Sequence, residues 1–390
     1  MSKASTKEKI LDQPTIKFYI LEPTKYISDL LETNENQIKA SSYYKDGLNE
    51  ESAEIWLHRS FRSMSYEDGY TQDPSEADIF LIAGYAHLSS SVTSQRIDST
   101  LYLDLIVDPT KPHLLLMPTT NPGVSQRAGI ENLAKSLQNS GVNVWSVGFE
   151  RNPYWQGVDV EHILPIPYVV RMIERSSNAT DSAVESIPRI SNFVFYAGNP
   201  RPHAGEWGGC FRKNITDPLS NEPNMFVKTL RGGQRLTQER YNEYMQSSDY
   251  CLIVCGDTPT SRSLTTAMIL GCIPIRVGSR LRGLCDPPCF DGWGWTVTGG
   301  NYSHLAYENH IPWRSFPEVA EMDLIKDGVS VLNTEIFGKY DQAEKDRIRH
   351  IMEEDREGFI YGWGDPVKSM DFGGAYRYIL DSFQSVLSTQ

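Results

Sequence analysis

The stretch Tyr241-Asn-Glu-Tyr-Met-Gln-Ser-Ser-Asp-Tyr-Cys-Leu-Ile-Val-Cys-Gly-Asp-Thr-Pro-Thr-Ser-Arg-Ser-Leu-Thr-Thr-Ala-Met-Ile-Leu-Gly-Cys-Ile-Pro274 fixes the reading of the second half of the chain. Tyr250–Val254 is a short apolar run of the kind buried on both faces of a parallel sheet. A polar loop, Gly256-Asp-Thr-Pro-Thr-Ser-Arg262, follows it, and Ser261–Leu270 then reads as a helix. A second apolar strand begins at Ile273. In an open α/β sheet the loop beyond a strand's carboxyl end faces the ligand crevice. Thr260 or Ser261 is placed to cap the helix. Its free N–H groups suit an anion, and Arg262 adds a planar cationic fork that matches phosphate. Thr258 belongs to the same loop.

Outward from this stretch, apolar strands alternate with amphipathic segments, the pattern of βαβ units. In the first half, strands are predicted at 16–21, 78–84, 113–117 and 142–148. Helices are predicted between them, near 51–64, 90–106 and 125–139. The run Ile163–Val169 carries two prolines and reads as an edge or crossover segment. The second half adds a strand at 192–197, a helix near 239–245 and a charged helix at 342–357. A final helix at 375–387 carries Tyr376, Ile379, Leu380, Phe383 and Leu387 on one face. The polar stretch 174–186 lacks periodicity and reads as a linker. The chain of 390 residues is long enough for two α/β cores. The division expected is a disordered tail at 1–15, a domain at 16–173 joined by the returning segment 375–390, and a second domain at 187–374.

The net charge of −13 argues against a field that attracts nucleic acid or anionic lipid. An anion must therefore be held locally. Arg201, Arg262, Arg276, Arg280 and Arg282 are candidates, with at least two of the last three read as solvated. No run reaches the roughly 18 apolar residues of a membrane span, and residues 1–15 lack a signal-peptide core. The sequons at Asn178, Asn214 and Asn301 are no more numerous than chance supplies. All six cysteines lie in the second half. The C-x3-C spacings Cys251/Cys255 and Cys285/Cys289 invite zinc, but no histidine stands at finger spacing. Cys251 and Cys255 read instead as small packed hydrophobes, and Cys285–Cys289 as a local disulfide in an oxidising compartment. No Asp-x-Asp occurs, so no metal site is expected.

Several segments, taken in order, resemble the exostosin-type glycosyltransferases. Ser247-Ser-Asp-Tyr-Cys-Leu252, the Gly256–Arg262 loop and Leu270-Gly-Cys-Ile-Pro274 are similar to that family's strand, loop and strand. SEADIFLIAGY (75–85), FVFYAGNPRP (193–202) and HILPIPY (162–168) resemble its upstream segments, and CDPPCFDGW (285–293) a later one. The resemblance implies GT-B architecture, two Rossmann-like domains facing a central cleft. It also implies an inverting transfer from a UDP-sugar to a glycan or glycoconjugate acceptor, with no metal and no cofactor. Carried over to this chain, Arg201, Asp257, Ser261 and Arg262 line the donor site, with Arg212 in the same segment.

The sequence departs from the family at Thr266, where an acidic residue usually holds the ribose. It departs again at Cys255, often an arginine, and after Ile275, where an acidic residue is missing. These departures motivate an alternative, an inactive scaffold that binds a glycan or assembles with another glycosyltransferase. A dinucleotide oxidoreductase is disfavoured because no G-x-G-x-x-G follows an early strand. His87 and Asp286 are the candidates for the general base, which is otherwise unassigned. A cytoplasmic location is expected, with the Golgi lumen as the alternative if an N-terminal anchor has been removed.

Overall fold

The computed structural model describes residues 16–23, 25–27, 53–85, 97–118, 129–149, 157–170, 188–198, 209–230, 236–254, 262–278, 305–365 and 369–389. The expected tail at 1–15 and the expected linker at 174–186 lie outside them. The chain divides into two units. One comprises Met1–Glu174, Leu305–His310 and Glu357–Gln390, and the other Arg175–His304 and Ile311–Arg356.

The first unit is built on strands β1 (Phe18–Leu21), β2 (Ile79–Ile82), β3 (Pro112–Leu115), β4 (Asn143–Gly148) and β5 (Ile163–Pro165). They form one parallel sheet in the order β1-β2-β3-β4-β5. Leu114 and Leu115 of β3 are buried along with all of β2, as expected for a sheet covered on both faces. Helices α1 (Ala53–Arg62), α2 (Thr100–Leu103) and α3 (Ile130–Asn139) lie between the strands in sequence. In α3, Ile130, Leu133, Ala134 and Leu137 are all buried. That i, i+3, i+4, i+7 stripe packs with Phe80, Ile82 and Val144, and each larger side chain contributes about 2 kcal/mol.

The second unit holds β6 (Ile190–Gly198), α4 (Gly209–Leu219), β7 (Met225–Thr229), α5 (Gln238–Ser247), β8 (Ser248–Ile253), α6 (Arg262–Leu270) and β9 (Ile273–Gly278). Next come β10 (Glu318–Ala320), α7 (Glu321–Val331) and α8 (Gln342–Asp355). Its parallel sheet has the order β10-β9-β8-β6-β7. From β6 the chain steps outward to β7, and from β8 it steps the opposite way to β9. The switch point of this sheet is therefore between β6 and β8. At the other edge, Asp249 of β8 accepts from Lys345 Nζ at 2.8 Å, Arg349 Nη2 at 2.5 Å and the Asn192 amide at 2.8 Å. This buried clamp ties α8 to the amino ends of β6 and β8.

The remaining elements are a hairpin of β11 (Gly362–Asp365) and β12 (Ser369–Phe372) and helix α9 (Ala375–Leu387). α9 belongs to the first unit, where Phe383 meets Trp145 and Tyr376 meets Phe61. The second domain was expected to run unbroken to 374. Residues 305–310 and 357–374 instead group with the first unit. The Tyr307 hydroxyl donates to the Gly358 carbonyl at 2.6 Å, and that of Tyr361 to the Pro167 carbonyl at 2.7 Å.

Candidate functional site

The described residues frame the Gly256–Arg262 loop from both sides. Val254, just beyond β8, and the five residues of β8 before Ile253 are buried, so the loop leaves from a fixed point. It rejoins described structure at Arg262, the exposed first residue of α6. Cys255, Asp257, Thr258, Thr260 and Ser261 lie outside the described residues, as do Arg201, Arg280, Arg282, His87 and Asp286. Cys285 and Cys289 also lie outside them.

Helix α6 is anchored at both ends. At its start, the Ser263 hydroxyl is 3.0 Å from the hydroxyl of Tyr241 on α5. Burial raises the Tyr241 phenol above its ordinary range, while the Ser263 bond and the charge of Arg262 act the other way. Tyr241 and Ser263 were not picked out from the sequence, because no local pattern joins two residues 22 apart. At the far end, Arg189 donates to the Leu270 carbonyl at 3.0 Å and to the Ser248 carbonyl at 2.7 Å. Gly271 has φ 73°, and a Cβ there would stand 2.7 Å from the Arg189 guanidinium. The left-handed cap favours glycine, and a larger residue would also have to displace the Arg189 guanidinium from its carbonyls.

Thr266 lies one turn into α6. It is buried, and its hydroxyl donates back to the Arg262 carbonyl at 2.9 Å. Arg212 is half-buried on α4. Arg276 is not a solvated residue. It is buried in β9 and donates to Glu318 at 3.1 Å and to the Trp313 carbonyl at 3.2 Å. That ties it to the β10 side of the sheet and leaves Arg262 as the described arginine at the loop.

The cysteine reading is corrected by the structure. Cys251 is not a free packed thiol but is bonded to Cys272, with Cα atoms 5.7 Å apart. Neighbouring strands make the pairing possible: with Cys251 of β8 opposite Pro274 of β9, Cys272 lies two residues back on the same face of the adjoining strand, within disulfide reach. Among the described residues no group of three or more His, Cys, Asp or Glu is placed to hold a metal.

The first unit has its own polar cluster at the carboxyl ends of β1 and β2. Glu22 follows β1 and Tyr85 lies three residues beyond β2, with His58 of α1 bonded to both. His58 Nδ1 is 2.7 Å from the Tyr85 hydroxyl, and Nε2 bonds Glu22 Oε2. Arg62 lies 2.7 Å from Glu22 Oε1. Tyr85 lies two residues before His87 in sequence, but neither Glu22 nor His58 carries a local motif.

Comparison with known families bears on both units. The model of the exostosin GT47 domain matches residues 12–334, most of the chain. The chain belongs to this family. Its two parallel-sheet α/β units match the GT-B class expected of a glycosyltransferase. Over 62% of its length the GT47 chain is 25% identical to a xyloglucan-specific galacturonosyltransferase of Arabidopsis thaliana, and the match spans 32% of that protein. It is 23% identical to a probable glucuronoxylan glucuronosyltransferase of the same plant, over 72% of this chain and 67% of that one. The chain thus spans about a third of the first relative and two thirds of the second. Among solved structures, the spinosyn rhamnosyltransferase SpnG aligns with a TM-score of 0.32 and 12% identity, covering 87% of this chain and 96% of that one. An α1,3-fucosyltransferase aligns with a TM-score of 0.27 and 11% identity, over 100% and 93%. No helix among the described residues is long and apolar enough to cross a membrane.

Proposed function

We propose that this GT47 chain transfers a sugar from a UDP-sugar to a glycan or glycoconjugate acceptor, inverting the anomeric carbon and using no metal. The observation that carries the reading is where the Gly256–Arg262 loop departs and returns. It leaves β8 beside the β6/β8 switch point and ends at the amino terminus of α6. Helix N–H groups and Arg262 then neutralise the leaving diphosphate, the work a divalent cation does in other transferases. Arg201, Asp257, Ser261 and Arg212 complete the proposed donor set, with Thr258 and Thr260 in the loop. The names of the two plant relatives make UDP-galacturonate and UDP-glucuronate the first donors to try.

The buried Cys251–Cys272 bond supports work in an oxidising lumen rather than the cytoplasm, since cytosolic thiols are kept reduced. Thr266 supports a second reading. With its hydroxyl turned back onto the helix it offers no carboxylate to a ribose, as an inactive scaffold requires none.

UDP release from a panel of UDP-sugars, with and without EDTA, separates the two. Release that survives EDTA and is lost in Arg262→Ala is the expected result. No release from any donor, with no UDP binding by calorimetry, would select the scaffold.

A further inference from the structure

In the donor reading a diphosphate is held by the first turn of α6 and by Arg262, so whatever fixes that turn sets the geometry of the site. Helices α5 and α6 both start where a strand has just ended, α5 after β7 and α6 after β8. That is the carboxyl edge of the second sheet, the edge at which parallel α/β sheets bind ligands. Thr237 caps the start of α5, its hydroxyl accepting from the Arg240 amide at 3.3 Å.

Tyr241 stands in the first turn of α5. Its ring meets Phe195 of β6 edge-on, with centroids 5.1 Å apart. Its hydroxyl lies 3.0 Å from that of Ser263, the second residue of α6. One side chain therefore reaches from β6, which leads into the segment carrying Arg201, to α6, which begins at Arg262.

The hydroxyl contact differs from the packing around it. Tyr244, three residues on, stacks on both Phe195 and Phe226, and a phenylalanine at 241 would complete that aromatic cluster equally well. What tyrosine adds is a polar bond aimed at α6. Burial keeps the phenol neutral, and the charge of Arg262 reaches it, so the guanidinium stands near the same bond. Serine near a helix start commonly turns its hydroxyl onto backbone N–H groups, but Ser263 is engaged by Tyr241. The Thr266 hydroxyl goes to the Arg262 carbonyl. The turn is thus braced from α5 and from within α6, and neither brace takes an N–H group that a helix start leaves over.

We propose that Tyr241 is a positioning residue of the donor site, holding the first turn of α6, through Ser263, where Arg262 and the turn's N–H groups meet a nucleoside diphosphate. The proposal rests on the UDP-sugar reading above and concerns the second unit alone.

The test uses the full chain, with UDP binding followed by calorimetry. Tyr241→Phe keeps the ring on Phe195 and removes the hydroxyl alone. It and Ser263→Ala should each weaken UDP binding about 3- to 10-fold, the worth of one neutral hydrogen bond. The double variant should lose no more than either single one, because both changes break the same bond. Ser263→Thr restores a hydroxyl and should bind UDP like the wild type. So should Tyr244→Phe, which removes a hydroxyl from the same helix. Wild-type affinity in a folded Tyr241→Phe, an equal loss in Tyr244→Phe, or additive losses in the double variant overturn the assignment. If Tyr241→Phe fails to fold, loss in Ser263→Ala with retention in Ser263→Thr upholds it, and any other pair of results overturns it. No UDP binding by the wild type would instead overturn the donor reading beneath it.

Discussion

Two carboxylates, each gripped by cations, stand at opposite ends of their parallel sheets. Asp249 lies at the amino end of β8, and Lys345, Arg349 and the Asn192 amide converge on it. Glu22 lies at the carboxyl end of β1 with His58 and Arg62. Asp249 is buried and Glu22 half-buried, and both are held below the ordinary carboxylate range, so charge does not tell them apart. Location does. Ligands of parallel α/β sheets meet the carboxyl ends, and there the backbone of Tyr85 is strained and Arg62 opens to solvent. At the amino end the partners of Asp249 come from α8 and β6, which makes it a tether between elements. The aspartate inside Ser-Ser-Asp-Tyr-Cys-Leu, part of the strand that resembles the family's, thus serves the frame of the second unit.

The sharpest way to break this contrast is to neutralise each carboxylate in turn. Glu22→Gln should lower stability by no more than about 1 kcal/mol, because Arg62 reaches solvent once released. Asp249→Ala should lower it by about 3–5 kcal/mol, because Lys345 is left buried without its partner. Urea unfolding measures that loss, and a loss under about 1 kcal/mol would remove Asp249 from the role of tether. UDP affinity of the folded fraction should stay at the wild-type level.

Next in size is the Cys251–Cys272 bond. Replacing both cysteines by serine should cost about 2–4 kcal/mol, as expected for a closed loop of this length, with a separation of 21 residues. Melting with and without a reductant checks it, and identical curves would mean the thiols are not joined. The smallest effect is expected at Asp381 of α9, a carboxyl with less to hold it. Burial raises it to about 6 from 3.8, with Arg377 acting the other way. Its native form binds more protons than the unfolded chain between those values, so stability falls as pH rises through that window. Asp249 has the opposite sign, and its contribution is lost as pH falls below the ordinary carboxylate range. Asp381→Asn should flatten the profile between pH 4 and 6 and add about 1–2 kcal/mol above it, after screening is allowed for. An unchanged acid titration would count against the raised value.

Much of this frame was legible from residue order alone. β8, α6 and β9 were predicted at 250–254, 261–270 and 273–277 and found at Ser248–Ile253, Arg262–Leu270 and Ile273–Gly278. Continuous apolar strands and a polar capped loop are local signals. β10 has three residues, and α4 carries Pro218 near its end, so both fall below what a periodicity shows. The pairing of Cys251 with Cys272 depends on strand register, while the eye is drawn to Cys255 by spacing. The chain of Glu22, His58 and Tyr85 needs two strand ends and a helix brought together. His58 is 36 residues from Glu22 and reads in sequence as one more turn of α1, whereas His87 attracts notice by standing alone in a loop.

The disulfide has one more consequence. Cys251 and Cys272 close a covalent ring whose perimeter contains the end of β8, the whole Gly256–Arg262 loop and all of α6. A protease that cuts anywhere on that perimeter leaves a single molecule, its two polypeptides still linked by sulfur. Such a nick escapes notice on a gel until a thiol is added, when the chain falls into two pieces.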